Sequence, residues 1–203
     1  MKLLACPKCH QQLHLENKTL KCENNHCYDI SKRGYINLLL NPDKATNNPG
    51  DSKESLVARK AYLNKGYYDP ILNQVVTCID EFKHQDDLSI LDLGCGEGYY
   101  TQGLKKHFEN SDIYGLDISK IAIDMATRYR KDVTWLVGNS KNIPILDHSL
   151  DFICALFTVV NQDELKRALK EDGYIIHVTA NNQHIAVEHR HEVLDTLSGR
   201  RAE

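Results

Sequence analysis

Four residues near the N-terminus have the types and spacing to hold a metal. Cys6-x2-Cys9 is followed, after twelve intervening residues, by Cys22-x3-His26. Each pair can grip one side of a tetrahedral ion, and four protein ligands leave no open position for water, so the chemistry indicated is a structural Zn2+ site. Such an ion would fold a segment too small to hold itself together by burial. Cys27 competes with His26 as fourth ligand and would make a four-cysteine site. The x3 spacing favours His26, and Tyr28 beside it reads as core. His10 and His14 read as surface residues.

A second constellation lies at Leu91-Asp92-Leu93-Gly94-Cys95-Gly96-Glu97-Gly98. Glycines between a strand and a helix let the backbone turn sharply and let a ligand approach the main chain. Asp92 leads the turn, and Asp117 ends the next strand, where a carboxylate can hold ribose hydroxyls. A nicotinamide dinucleotide would use the same acid, so Asp117 does not discriminate. The glycines do: a pyrophosphate favours G-x-G-x-x-G. Here the third glycine comes one residue early, and Glu97 beside the turn disfavours a pyrophosphate. A sulfonium carrying an amino-acid tail, S-adenosylmethionine (SAM), fits better than a dinucleotide or a purely structural turn. Asn139-Ser140 can contact an adenine edge, and Tyr67 and Tyr68 can cover the cofactor. Ordinary loop and helix-capping roles fit those four residues equally well.

The elements that must position these residues alternate. Ser52 is an N-cap for a helix over 53–65 ended by Gly66. A helix over 69–84 places Ile71, Leu72, Val75, Val76, Ile79 and Phe82 on one face. Strands follow at Ile90–Leu93, Ile113–Asp117, Val133–Val137, Phe152–Phe157 and Tyr174–Thr179. Helices are expected over 98–109, 119–130 and 162–170, and a polar helix over 183–197 ends the pattern. This alternation predicts an α/β, Rossmann-like parallel sheet with helices on both faces. Ahead of it the sequence divides into a zinc-binding domain at 1–40, built of short polar turns, and a segment of linker and helices at 41–84. Residues 85–203 form the cofactor-binding domain. Within the second segment, 41–52 is rich in Asn, Pro, Gly and Asp.

Composition bounds the function. Hydrophobic residues make up 41% and charged residues 26%, the balance of a globular protein. No apolar run approaches the ~18 residues that cross a bilayer, and the N-terminus turns polar too quickly for a secretory signal, so no membrane partner and a cytoplasmic location are expected. The net charge of -3 argues against indiscriminate nucleic-acid binding. Yet residues 1–65 hold eleven Lys/Arg against six Asp/Glu, while 66–203 hold fourteen against twenty-two. A basic front end on an acidic body suits a phosphate contact beside a chemical site, though uneven surface charge also occurs without meaning. Cys78, Cys95 and Cys154 read as small buried hydrophobes.

Together these features resemble the zinc-containing 23S rRNA (guanine-N1) methyltransferases, a bacterial family, from Cys6 to about Glu188. The resemblance rests on the Cys-Pro-x-Cys-His-Gln start, the Cys22…His26 pair and Lys32-Arg33-Gly34-Tyr35-Ile36-Asn37-Leu38-Leu39. Pro49-Gly50-Asp51-Ser52, Ala58-Arg59-Lys60, Gly66-Tyr67-Tyr68-Asp69-Pro70 and Asp92 to Thr101 also belong to it. It implies zinc on Cys6, Cys9, Cys22 and His26, and SAM contacts from Tyr68, Gly96, Glu97 and His184. It also implies a 23S rRNA hairpin as partner, a homodimer, and a zinc domain that helps to hold RNA. The chain departs from the family at Leu156-Phe157-Thr158-Val159, which lacks a proline, and at Glu171-Asp172-Gly173, which replaces a Pro-Gly-Gly turn. It also ends without the flanking C-terminal strands of the family. A shortened, non-catalytic SAM- and RNA-binding protein and a small-molecule methyltransferase therefore stay open. Guanine N1 must lose a proton on attack, and no residue at 157–161 offers a carboxylate to take it. Phe157 either stacks on a flipped base or is a core aromatic.

Overall fold

The computed structural model describes residues 1–40, 50–179 and 185–191; residues 41–49 of the expected linker and His184 lie outside them. The N-terminal segment is a small three-stranded antiparallel sheet of β1 (His14–Glu16), β2 (Thr19–Lys21) and β3 (Cys27–Asp29), in that order. A zinc-binding domain with short polar turns was expected here, and its strands were not. Each strand is three residues long, too short for a period-two hydrophobic pattern to register.

The larger sheet has seven strands. β4 (Ile36–Asn37) lies at one edge beside β7 (Thr134–Val137), followed by β6 (Asp112–Asp117), β5 (Ser89–Leu93), β8 (Leu150–Leu156), β9 (Leu169–Val178) and β10 (Ile185–His189). All neighbours are parallel except β9 and β10. Three features differ from the expected pattern. β4 carries the chain from the ribbon into the large sheet. β9 begins at Leu169, because the helix before it stops at Ala168 and a register irregularity at Leu150/Phe152 lets the strand continue past Gly173. The polar helix expected over 183–197 is not formed at 185–189: that segment is β10, which satisfies the open edge of β9, with Val187 packed against the core. Its alternation is masked by Glu188 and His189.

The helices follow their local signals. Ser52 accepts the Ser55 amide at the start of α1 (Lys53–Leu63), and Pro70 stands in the first turn of α2 (Asp69–Phe82). Ser119 accepts from Ala122 at the start of α4 (Lys120–Ala126), and Asn161 from Glu164 at α5 (Gln162–Ala168). α4 is shorter than the expected 119–130, because residues 128 and 129 bond three residues back and tighten into a turn.

Alternation along each strand divides the core in two. Ile90, Ile113, Val137, Phe152 and Ile176 face α2, α3 (Tyr99–His107) and α4. Leu91, Leu93, Tyr114, Leu116, Leu136 and Ile153 face the other way. Helices were expected on both faces, but among the described residues only the short α5 packs on this second one. The rest is covered by the ribbon, whose Leu4, Leu13, Leu20 and Leu38 are buried there. Backbone bonds fix the contact: the Ala5 amide donates to the Pro144 carbonyl at 3.1 Å, and the Leu146 amide to Leu3 at 2.8 Å. Arg167 of α5 holds the same segment from below, donating to the carbonyls of Ile143 (2.7 Å) and Ile145 (2.8 Å) while paired with Glu164 and Asp147.

Candidate functional site

Two turns bring the metal-ligand candidates together. In the first, the Cys6 amide donates to Gln11 and the His10 amide returns to Cys6, with His10 at φ +58. In the second, the Asn25 amide donates to Cys22, with Asn25 at φ +61. These left-handed corners point the side chains inward. The ligand atoms of Cys6, Cys9, Cys22 and His26 all lie within 4.8 Å of one another. His26 Nδ1 is 3.4 Å from Cys6 Sγ, 3.5 Å from Cys9 Sγ and 3.4 Å from Cys22 Sγ, and Cys9 and Cys22 are 3.7 Å apart. A tetrahedron with metal–sulfur bonds of about 2.3 Å and a metal–nitrogen bond of about 2.0 Å has edges of roughly 3.7 and 3.5 Å. The cluster therefore has the dimensions of a zinc site. The Tyr28 hydroxyl lies 3.3 Å from Cys6 Sγ and can donate to it as a thiolate, an outer contact of the kind that orients ligands. Cys27 is exposed and turned toward the Asn25 carbonyl, outside the cluster. His10 and His14 are exposed.

The glycine turn forms one wall of a cleft of about 480 Å³ at the C-terminal ends of the strands. Gly94, Gly96 and Gly98 all have positive φ, at 74°, 56° and 86°. Their roles differ. A Cβ at Gly94 would collide with Thr158, and one at Gly98 would come within 2.6 Å of Trp135. A Cβ at Gly96 would meet only the Arg59 guanidinium, at 3.7 Å, so its missing side chain leaves space in the cleft itself. Asp117 braces the turn: one carboxylate oxygen accepts the Gly96 amide at 2.9 Å and the other the Ser119 amide at 2.8 Å. Asp92 lies beneath, fully buried, accepting from Thr101 Oγ1 at 2.5 Å. Glu97 is 4% exposed in the wall. Tyr68 caps α2 and meets Phe157 edge to face at 6.0 Å.

Not every expected residue reaches the cleft. Asn139 and Ser140 lie in the turn after β7, and neither is among the described lining residues. The Asn139 side chain accepts from the Lys141 amide at 3.0 Å, closing its own turn instead. Tyr67 is 62% exposed, against Tyr62 and outside the lining. Conversely, sequence reasoning overlooked Arg59. It lines the cleft, pairs with Asp51 at 2.6 Å and lies near Glu97 and Asp117. Ala58-Arg59-Lys60 entered the sequence reading only as part of the resemblance, and an arginine on a polar helix gives no signal of a place in a cleft. Cys95 is buried, and burial pushes its thiol well up, so it is no nucleophile.

The cleft suits a cationic nucleoside with an amino-acid tail. Asp51, Glu97 and Asp117 line it, with a single cation among the described lining residues, Arg59, to face a carboxylate. The Tyr100 hydroxyl is buried there without a hydrogen-bond partner among the described residues, leaving a polar atom for a ligand to satisfy. A parallel sheet with this turn at the strand ends and a ribbon with a four-ligand cluster define a class I SAM-dependent methyltransferase carrying a zinc ribbon.

The comparisons agree. Residues 90–173 match a family described as a methyltransferase domain, and residues 4–45 match the N-terminal zinc ribbon of RlmA. The chain thus joins a zinc ribbon like that of RlmA to a methyltransferase domain. A 23S rRNA (guanine(748)-N(1))-methyltransferase of Streptomyces fradiae is 29% identical, over 97% of this chain and 68% of that one. A Bacillus subtilis relative, provisionally named a 23S rRNA (guanine-N1)-methyltransferase, is 31% identical over 90% and 66%. The chain thus spans about two thirds of the length of these relatives. A solved structure from Methanococcus maripaludis, provisionally described as a SAM-dependent methyltransferase, superposes with a TM-score of 0.54. It is 23% identical and covers 65% of each chain, a likeness of fold.

The acids at the turn carry a pH dependence. Burial pushes Asp92 up to about 7, reinforced by the charges of Asp117 and Glu97, and burial likewise raises those two. A carboxyl whose folded pKa is raised holds its proton where the unfolded chain has lost it. Without ligand, its contribution to stability is full below the ordinary carboxylate range and is lost as pH rises toward 7. A cationic ligand in the cleft would favour the ionised carboxylates, so its binding is expected to release protons. SAM affinity is expected to rise with pH by up to about tenfold per unit for each proton released, and to level off above about pH 7. Calorimetry in buffers of different ionisation enthalpy counts the protons. A count of zero at pH 6 would refute the coupling.

Proposed function

We propose that the chain transfers a methyl group from SAM to N1 of a guanine in a 23S rRNA hairpin, acting in the cytoplasm as a homodimer. One observation carries the reading: the ribbon cluster and the glycine turn occur in one chain that aligns over 97% of its length with a relative named for that reaction. Within it, Cys6, Cys9, Cys22 and His26 hold zinc, and Tyr68, the turn from Gly94 to Gly98 and Asp117 hold SAM. The chain divides into the ribbon, residues 1–40, a connecting segment, 41–84, and the SAM-binding part from 85 onward. The ribbon shares a core with described residues of that last part. Among the described residues no helix is long and apolar enough to cross a membrane.

When bound, SAM supplies an electrophilic methyl, and the chain's task is to hold the acceptor in line at reacting distance. Asp117 anchors the ribose hydroxyls while bracing Gly96. Phe157 positions the acceptor. It stands at φ +57, a costly conformation for an aromatic residue, and its amide donates to Val178 at 2.8 Å. Thr158 packs against Gly94. The loop is thus pinned between β9 and the cofactor turn with the Phe157 ring 45% exposed on the cleft. A ring so held is a stacking face for a flipped guanine. Residues 157–162 carry no titratable side chain, so this loop orients the base and does not take its proton.

The test uses zinc-loaded protein, SAM and a stem-loop transcript spanning the guanine named for the S. fradiae relative, with mass mapping of the product. 1-Methylguanosine at one position is expected; SAM binding with no methylated guanine would sink the reading in favour of a non-catalytic binder. Phe157→Ala should lower kcat/KM for the transcript roughly 10- to 100-fold, the effect of about 1–3 kcal/mol of stacking, with SAM affinity unchanged and Phe157→Tyr near wild type. An equal loss of SAM affinity would instead give Phe157 a purely structural role.

A further inference from the structure

Away from the cofactor, the seam between ribbon and methyltransferase sheet holds a second cleft of about 430 Å³. Lys32 and Arg33 line it from the exit of the ribbon, and Arg128, Arg130 and Lys131 from the loop after α4. No carboxylate is among its described lining residues. In a chain of net charge -3, five cations from two distant segments converge there.

The cleft is held in shape from outside. Asp124 pairs with Arg33 at 2.9 Å and with Arg128 at 3.4 Å, clamping the two segments to each other. Arg130 is held by Asp132 through contacts of 2.9 and 2.6 Å. Trp135, on the floor, donates its indole N–H to the Arg130 carbonyl at 2.8 Å and fixes the loop above β7. Lys32 and Lys131 are exposed and have no ion-pair partner among the described residues. Gly34, at φ +94, has no atom within 4 Å of its Cβ position, so the main chain is open to close approach. Two carboxylates behind five cations leave a positive concavity whose guanidinium forks suit phosphate oxygens.

The surface leads toward the site of reaction. Arg130 also borders a depression of about 330 Å³ with Lys60 and Lys106, and that depression shares Glu97 and Tyr99 with the cofactor cleft. Lys60 is braced there over the Tyr129 ring at 3.5 Å.

We propose that the seam cleft is a second nucleic-acid site, binding backbone phosphates of the substrate RNA at a distance from the methylated base. This rests on the rRNA reading above. The ligand is a phosphodiester strand, because the cations follow a continuous concave path that a strand can enter and a flat anionic membrane cannot. The described lining is dominated by cations that suit phosphate, so the role assigned to the cleft is affinity and register.

The experiment compares the zinc-loaded full chain with the exposed double variant Lys32→Gln/Lys131→Gln. Anisotropy with the fluorescein-labelled stem-loop transcript is followed between about 50 and 200 mM salt. The variant is expected to bind roughly tenfold more weakly at low salt, with a salt slope smaller by about one to two. Its SAM affinity by calorimetry should match wild type. Equal affinity and slope in both proteins would overturn the proposal while leaving the rRNA reading intact. A wild type that binds no transcript would overturn both. Loss of binding to phosphatidylglycerol vesicles alone, with transcript binding unchanged, would reassign the cleft to lipid and overturn it too.

Discussion

Stripping zinc with a chelator, or replacing Cys6 with serine, is expected to unfold the ribbon and to expose the sheet face beneath it. A structural zinc site contributes about 10–16 kcal/mol of apparent binding free energy, comparable with the whole stability of a domain at about 5–15 kcal/mol. Here the loss does not stay local. Leu4, Leu13, Leu20 and Leu38 share one core with Leu91, Leu93 and Tyr114, and each such leucine contributes about 1.5–3 kcal/mol by burial. Chelation should therefore lower the melting temperature of the methyltransferase part as well as that of the ribbon. Cys27→Ser, outside the cluster, should change stability by less than about 0.5 kcal/mol. Thermal melts with metal analysis decide the matter. One zinc per chain is expected in wild type and Cys27→Ser, and little in Cys6→Ser; a Cys6→Ser protein that melts like wild type would contradict the assignment.

Asp117→Ala should weaken SAM binding by about 100-fold, near 2.7 kcal/mol. The carboxylate does two jobs at once. It accepts the Gly96 and Ser119 amides, charge-assisted bonds of about 1.5–3 kcal/mol, and it is the group available to the ribose. Asp117→Asn retains one acceptor and should fall between Ala and wild type. Calorimetry gives the affinities, and unchanged zinc content shows that the fold survives. An Asp117→Ala protein with wild-type affinity would remove the ribose anchor from the proposal.

The legible parts of this molecule were those whose chemistry is local. Gly94, Gly96 and Gly98 occur where the backbone adopts positive φ, and Ser52 caps its helix as expected. The cysteine and histidine spacing foretold a cluster, and geometry excluded Cys27, which spacing alone could not. What escaped depends on distant partners. The three-residue ribbon strands and β10 exist because neighbouring edges accept them, a tertiary cause with little trace in their own sequence. Arg59 acquires its place only when α1 folds beside the glycine turn. Charge counting marked the first 65 residues as basic, yet three of the five seam cations come from the acidic remainder. Asn139 was read either as an adenine contact or as an ordinary loop residue, and its side chain accepts the Lys141 amide within its own turn.

The burial of the ribbon against the sheet has a consequence for the living cell. A metal-binding appendage on a tether could empty and refill while its neighbour stayed intact. Here Leu4, Leu20 and Ile145 belong to one apolar interior, so an emptied ribbon uncovers a greasy flank that quality-control proteases recognise. Abundance of this protein should accordingly follow the supply of a trace nutrient, falling in depleted medium without any change in transcription.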